Sequence, residues 1–254
     1  MGKIVAIANQ KGGVGKTTTA VNLSACVAAL GKKVLVVDID PQGNTTSGLG
    51  VYAEHMEATI YDVLVNGVPA ESAVTDVSYF SMQIIGSDIS LAGAEIELVG
   101  AKRREFLLRD ALEEIKDQYD FIFIDSPPSL GLITLNGLAA ADAVIVPVQC
   151  EYYALEGIAQ LTKTVNMVKK ALNPELDIEG VVMTMFDGRT NLSIQVVEEV
   201  KKYFGQKVYK TLIPRNVRLS EAPSFGEPIL VFDRTAAGAL AYEKLAKEFI
   251  KKNS

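Results

Sequence analysis

Short, uninterrupted apolar runs alternate along this chain with longer segments in which apolar residues recur at helical spacing. Uninterrupted runs are typical of strands buried on both faces of a parallel sheet, and the helical spacing predicts amphipathic helices. The predicted strands are Ile4–Ala8, Lys33–Asp38, Phe121–Asp125, Ala143–Pro147 and Val181–Met185. The predicted helices are Thr17–Leu30, Arg103–Lys116, Leu155–Leu172, Ser193–Tyr203 and Ala236–Lys251. The alternation predicts an α/β fold: a single doubly wound, mostly parallel twisted sheet with helices on both faces, in one domain over residues 1–254.

A glycine-rich loop joins the first predicted strand to the first predicted helix. Its sequence is Gln10-Lys11-Gly12-Gly13-Val14-Gly15-Lys16-Thr17-Thr18. The glycines allow successive backbone N–H groups to face one anion, and the N-terminus of the helix adds a partial positive charge. Lys16 supplies a cation for the outer phosphates, and Thr17 supplies a hydroxyl for Mg²⁺. The loop therefore predicts a nucleoside-triphosphate site formed by residues 11–18.

This loop departs from the usual phosphate-binding pattern G-x-x-x-x-G-K-[ST] at its first position, where Gln10 replaces the glycine. Lys11 puts a second lysine on the same loop; it is either a solvated surface charge or a second cation for the triphosphate. The segment resembles the deviant Walker A loop, K-G-G-x-G-K-[ST], of the ParA/MinD class of P-loop ATPases. The resemblance implies that Lys11 reaches across a dimer interface to the nucleotide of a second subunit.

Acidic residues follow two further predicted strands. Asp125 ends one apolar run, and Asp38 and Asp40 follow another. Ligands of doubly wound sheets bind beyond the carboxyl ends of the strands, so we expect these residues and the glycine-rich loop to form one site. A buried carboxylate needs a cation or hydrogen bonds, and Mg²⁺ shared with Thr17 is the natural partner of Asp125. The alternative is that these aspartates only form turns before Pro127 and Pro41.

Two carboxylates at positions i and i+2 point to the same side if the chain stays extended. One can orient Mg²⁺ or its water shell, and the other can position the attacking water; we assign Asp38 to the metal. The resemblance implies that Asp40 positions the water, that residues 38–44 form switch I and that residues 125–131 form switch II. It also implies that adenine is held after the last predicted strand and near residues 212–216. The candidates there are Met185, Pro214 and Asn216, although a core methionine and a loop proline are an equally ordinary interpretation.

The resemblance extends over almost the whole chain. The matching segments, in family order, are Asn9–Gly13, Asp38–Asn44, Asp125–Pro128 and Pro214–Ser224. The last segment resembles the chromosomal, Soj-like branch of the ParA family of DNA-partitioning ATPases, in its short form without an N-terminal helix-turn-helix extension. The resemblance implies a slow ATPase that uses ATP and Mg²⁺, forms a homodimer when ATP is bound and binds double-stranded DNA without sequence preference. It further implies that a ParB/Spo0J-like partner stimulates hydrolysis, and that chromosome or plasmid partitioning results.

The charge of the chain is unevenly distributed. The net charge of −6 argues against a general nucleic-acid binder. Residues 1–200 carry 14 basic and 26 acidic side chains, a balance of −12, whereas residues 201–254 carry 11 and 5, a balance of +6. The candidate DNA contacts are Arg189 and Arg218, with lysines 201, 202, 207 and 210 as a possible extension; ordinary solvated surface residues are the alternative. We expect a cytoplasmic protein, because no signal peptide and no membrane-spanning apolar run is present, and the resemblance implies that it associates with the nucleoid.

Three other functions remain open at this point. A MinD-like, membrane-cycling ATPase would use an amphipathic C-terminal helix, and Leu240, Leu245, Phe249 and Ile250 are spaced for one. A nitrogenase-iron-protein-like reductase would hold a cluster on two interface cysteines, but Cys26 and Cys150 lie in neither switch. A metabolic ligase or kinase of the P-loop class is disfavoured by Lys11.

Overall fold

The computed structural model describes residues 2–152 and 154–253, with the side chains of residues 155 and 156 left aside. Seven strands of this part of the chain form one sheet in the order β3-β4-β2-β5-β1-β6-β7. All neighbours are parallel except β3 and β4, which are antiparallel. The strands are β1 (Lys3–Ile7), β2 (Val34–Asp38), β3 (Val74–Asp76), β4 (Met82–Ile85), β5 (Phe121–Asp125), β6 (Ala143–Gln149) and β7 (Asp177–Thr184).

Helices cover both faces of the sheet. One hydrophobic cluster contains buried residues of α1, α10 and α11, and the other contains buried residues of α3 to α8. The helices are α1 (Lys16–Ala29), α2 (Asn44–Gly48), α3 (Ile60–Val65), α4 (Leu91–Glu97), α5 (Leu107–Glu113), α6 (Leu132–Ala140), α7 (Ala154–Ala171), α8 (Asn191–Phe204), α9 (Arg218–Glu221), α10 (Ile229–Phe232) and α11 (Ala237–Lys252). The predicted fold class is confirmed, whereas the extent of the domain stays a prediction.

The five predicted strands and five predicted helices are present, with shifted ends. The largest difference is α5, which begins at Leu107 rather than Arg103, because Arg103 has a left-handed backbone with φ of 54°. The sequence analysis missed strands β3 and β4 and the helices α2, α3, α4, α6, α9 and α10. Strand β3 has only three residues, and α6 has no polar face from which a helical period could be recognised, because seven of its nine residues are buried.

The sheet register brings the ends of three strands together. Asp125 at the end of β5 lies beside Ile7 at the end of β1 on one side. On the other side it lies beside Asp38 at the end of β2. The glycine-rich loop leaves β1 at the same edge of the sheet. The convergence of polar strand ends that the sequence predicts is therefore confirmed.

The C-terminal helix α11 is part of the core. Phe249 packs against Phe121 and Phe123 of β5, with ring centroids 4.9 and 5.4 Å apart. The Tyr242 hydroxyl lies 3.1 Å from the Thr19 hydroxyl of α1. The apolar face of α11 therefore holds the helix against the sheet and against α1.

We predict that Phe249→Ala lowers the free energy of unfolding by about 3–5 kcal/mol, because it leaves a cavity against two aromatic rings. Leu240→Ala on the same helix is the control. Leu240 is 48% exposed, so its truncation should cost no more than about 0.5 kcal/mol. Urea unfolding of both variants measures the difference. Equal losses in the two variants would contradict the packed position of α11.

Candidate functional site

The glycine-rich loop is held in a fixed shape by side chains from neighbouring strands. Gly13 and Gly15 have φ of 71° and 87°, which only glycine adopts readily. The Thr184 hydroxyl at the end of β7 donates to the Val14 carbonyl at 2.8 Å. Asn9 accepts from the Lys11 N–H at 3.0 Å and donates to the Pro147 carbonyl of β6 at 2.8 Å. The loop is thus a preformed turn that ends at the N-terminus of α1.

Lys16 is a buried cation at the first position of α1. Only 7% of the residue is exposed, and its Nζ donates to the Lys11 carbonyl at 3.4 Å. Burial lowers the pKa of the ammonium, and the charges of Asp125 and Asp40 partly offset that effect. A buried ammonium of this kind would be stabilised by the negative charge of a phosphate.

Asp125 is fully buried behind the N-terminus of α1. Its Oδ2 accepts from the Thr17 hydroxyl at 2.8 Å and from the Thr45 hydroxyl at 2.7 Å. Its Oδ1 is buried and has no hydrogen-bond partner among the described residues. Burial and the nearby Asp38 raise the pKa of Asp125 to about 7. An orphaned carboxylate oxygen next to a threonine hydroxyl is a donor set that fits Mg²⁺.

Asp38 and Asp40, two residues apart, lie in different surroundings. Asp38 is fully buried, and its carboxylate accepts from the N–H and the hydroxyl of Thr46 and from the Asp40 N–H at 2.8 to 3.0 Å. Burial outweighs these hydrogen bonds and raises the pKa of Asp38 to about 6. Asp40 is half-buried and accepts from the Gln42 N–H at 3.0 Å. Asp40 therefore forms the turn that was predicted before Pro41 and also lies near the site.

Met185, Pro214 and Asn216 line one cavity of about 260 Å³, together with Gly15 and Thr18 of the loop and α1. Phe186 pairs with Pro214 as an isolated bridge, which extends the edge of the sheet beyond β7. The Asn216 Oδ1 is buried there, and no described residue donates to it. The three residues proposed from sequence as the adenine contacts are thus gathered beside the phosphate loop.

Lys11 has an environment quite unlike that of Lys16. Its side chain is 35% exposed, and its Nζ lies 3.9 Å from the Glu151 carboxylate. Glu151 also lies 3.7 Å from the Arg215 guanidinium. Neither contact is a close hydrogen-bonded pair. The Lys11 ammonium is therefore partly exposed and only loosely held.

Arg189 and Arg218, the candidate DNA contacts, lie on the surface in ion pairs. Arg189 donates to both oxygens of Asp187 at 2.9 and 2.7 Å. Arg218 lies 2.9 Å from Glu221 and 3.4 Å from Asp233. Their side chains are 89% and 54% exposed. Both guanidinium groups are therefore exposed but paired with carboxylates of the same chain, and the Arg189–Asp187 pair is bidentate.

Comparison with known proteins decides the family. The AAA domain family matches residues 2–178. The sporulation initiation inhibitor protein Soj of Bacillus subtilis is 60% identical over 98% of this chain and 98% of its own length. The chromosome partitioning protein ParA of Myxococcus xanthus is 51% identical over 100% of this chain and 90% of its own. The chain belongs to the ParA/Soj family of chromosome-partitioning ATPases. The family prediction is confirmed, and with it the prediction of an ATPase.

A solved relative carries the ligands expected of this ParA/Soj site. Cobyrinic acid a,c-diamide synthase from Mycobacterium smegmatis, with bound ADP and magnesium, has a TM-score of 0.86 at 36% identity. The alignment covers 99% of this chain and 95% of the synthase. Nucleotide and Mg²⁺ therefore bind within this fold family.

The other functions considered from sequence find little support in this member of the ParA/Soj family. Leu245 and Phe249 of α11 are fully buried, so they are not free to insert into a bilayer. Among the described residues, none of the helices has both the length and the hydrophobicity that a membrane span requires. Cys26 and Cys150 are buried in different hydrophobic clusters, and burial raises the pKa of each thiol to about 12. Neither cysteine is suited to hold a cluster at an interface.

The sequence analysis missed four side chains that organise the site. Thr45 and Thr46 donate to Asp125 and Asp38, Thr184 donates to the phosphate loop, and Glu151 lies near Lys11 without a close contact. The two threonines directly follow the predicted switch I, so the start of a helix after Gly43 could have indicated them. Thr184 and Glu151 contact a loop that is distant in the sequence, so no local sequence pattern indicates their roles.

We predict that the buried carboxylates destabilise the nucleotide-free protein as the pH rises. The raised pKa of Asp125 means that the unfolded chain ionises near pH 4 and the folded chain only near pH 7. Stability should therefore fall through this window and level off above it. Relative to Asp125→Asn, the native protein should lose on the order of 2 kcal/mol between pH 5 and pH 8. Urea unfolding in EDTA measures this, and parallel pH profiles of the two proteins would contradict it.

Proposed function

We propose that the protein is a DNA-segregation switch, acting as one ATPase domain over residues 1–254. ATP joins two copies, the dimer binds double-stranded DNA without sequence preference, and hydrolysis stimulated by a ParB/Spo0J-like partner releases it. The observation that carries this proposal is the contrast between two lysines of one loop. Lys16 is buried at the phosphate site, whereas Lys11 is at the surface and only loosely held.

The proposed nucleotide site uses residues 11–18 for the phosphates and the cavity beside them for the base. The unpartnered Oδ1 of Asn216 is an acceptor that the amino group of adenine can satisfy. Met185 and Pro214 supply apolar surface for the ring. The cavity volume of about 260 Å³ is close to the range of small-ligand sites. ATP is therefore the nucleotide that we propose.

Thr17 and Asp125 would hold Mg²⁺, with Asp38 behind them as a third acidic group. Bound there, the ion would neutralise charge on the outer phosphates. Asp38 already accepts three hydrogen bonds from residues 40 and 46, so its carboxylate ties switch I to the strand that precedes it. Asp40 is less buried and acts electrostatically on Lys16. This position supports its proposed role in orienting the attacking water.

The dimer follows from the surroundings of Lys11. A surface ion pair at 3.9 Å contributes little in water, so a triphosphate on a second copy can compete for the ammonium. Because the γ-phosphate adds charge that ADP lacks, association would depend on the state of the nucleotide. Release after hydrolysis would return Lys11 to Glu151.

The MinD-like alternative has weaker support than DNA binding. It requires the apolar residues of α11 to leave the core, and Phe249 contacts two rings of β5. A small-molecule ligase is also less well supported, since the synthase is 36% identical to this chain and Soj is 60% identical. Nucleoid association is the location that agrees with the proposed DNA binding.

We predict that Lys11→Ala binds ATP but no longer dimerises with it, because the charge offered to the second copy is lost.

Asp40→Ala should dimerise with ATP and hydrolyse it at least about 100-fold more slowly. Lys16→Ala should not bind nucleotide. The matched lysine control is Lys32→Ala, because Lys32 comes just before β2 and so lies at the end of the strands opposite the nucleotide site. Size-exclusion chromatography with ATP or ADP and a phosphate-release assay measure these effects. A normal ATP-dependent dimer of Lys11→Ala would overturn the switch.

We predict that the double variant Arg189→Ala, Arg218→Ala dimerises with ATP but loses DNA binding. Each phosphate contact removed should lower the slope of log K against log salt by about 0.9. The double variant Lys32→Ala, Lys33→Ala removes the same amount of charge from the amino-terminal end of β2. It should leave DNA binding nearly unchanged. Binding of a fluorescent duplex at several salt concentrations measures both. Equal salt slopes for the two double variants would exclude this patch.

A further inference from the structure

A second cavity, of about 340 Å³, lies at the C-terminal end of α1. Helix α1 has 14 residues and is therefore about 21 Å long, so this cavity is well separated from the phosphate loop at its other end. The walls come from α1, the turn between β3 and β4, α10, and the region from residue 234 into α11. The volume lies within the range of small-ligand pockets.

One side of the cavity is apolar and incompletely covered. Leu30 and Phe80 are 43% and 46% exposed, although both side chains are large and apolar. Phe80 has φ of 57°, an unfavourable conformation for a residue with a side chain. Cys26 lies at the buried end, where burial and the charge of Glu243 keep the thiol neutral by raising its pKa to about 12. An apolar group in the cavity would cover Leu30 and Phe80.

The other side of the cavity carries a net positive charge. Its charged residues are Arg234, Glu243 and Lys247. Arg234 lies 3.6 Å from the Glu243 carboxylate. Lys247 is exposed and makes no hydrogen bond or ion pair with another described residue. One cation therefore remains uncompensated at the edge of an apolar cavity.

We propose that this cavity binds a small amphiphile with one anionic head group, its apolar chain against Leu30 and Phe80 and its head group at Lys247. At about 30 Å³ for each water-sized group, a cavity of about 340 Å³ holds roughly eleven non-hydrogen atoms. A carboxylate with a chain of about eight carbons has this size. The head group lies on the α11 side, because the C-terminal end of α1 carries a partial negative charge that would repel it.

The test uses octanoate and 1-octanol, titrated into the whole protein by calorimetry with and without ATP and Mg²⁺. Octanoate should bind once per chain with a dissociation constant on the order of 10–100 µM. Octanol, which has the chain but no charge, should bind about tenfold more weakly. Nucleotide should not block binding of either, because the two cavities are at opposite ends of α1.

Lys247→Gln should weaken octanoate about tenfold and leave octanol unchanged. Lys244→Gln is the matched control, because it removes an exposed lysine of the same helix that does not line the cavity. Ala29→Phe should fill the cavity and abolish binding of both probes. Methyl NMR spectra locate the bound chain, with shifts expected at Leu30 and Leu230. Normal melting of each variant shows that it is folded.

Three results would overturn the proposal. The first is an absence of saturable octanoate binding to the native protein. The second is the same octanoate affinity for Lys247→Gln and Lys244→Gln. The third is a set of methyl shifts at Ile213 and Leu219, which line the nucleotide cavity, in place of those at Leu30 and Leu230.

Discussion

The site depends on two carboxylates that are buried side by side at the ends of neighbouring strands. Asp38 and Asp125 are register partners in β2 and β5, and neither is exposed. Two adjacent buried negative charges are unfavourable without positive charge or donated hydrogen bonds. Thr45 and Thr46 supply donors, and Lys16 supplies a cation. The remaining deficit is at Asp125 Oδ1, which is buried without a donor among the described residues, and a bound cation would relieve it. Switch I is thereby attached to the same charges that a nucleotide would alter.

The predictable part of the molecule is the part in which local sequence dictates local geometry. Glycines that must adopt positive φ, a helix that must begin after them, and aspartates that end apolar runs can all be recognised in the sequence. Helix α6 is different, because it is buried nearly all round and therefore lacks a period. Glu151 is different again, since its role arises only when the end of β6 is brought next to the glycine-rich loop. Contacts between distant segments of this kind have no signature in a single sequence.

Helix α1 connects features that look unrelated along the chain. Its first turn carries Lys16, Thr17 and Thr19, of which Thr19 contacts Tyr242 of α11, and its last residues border the second cavity. Asn22 also accepts from the Ile229 N–H of α10 at 2.7 Å. The C-terminal region is thus attached to the nucleotide-binding helix by hydrogen bonds as well as by apolar packing. Helix α1 therefore links the phosphate loop to the C-terminal region of the chain.

The charge of the chain differs between residues 1–200 and residues 201–254. The first 200 residues, which contain the glycine-rich loop and both buried aspartates, have a charge balance of −12 that repels polyanions. The last 54 residues, which contain Arg218, have an excess of positive charge, with a balance of +6. Because Arg218 is paired with both Glu221 and Asp233, a single copy would offer DNA only a weak surface. Two copies joined through ATP would double it, and since each phosphate contact multiplies the affinity, binding to DNA would depend steeply on association.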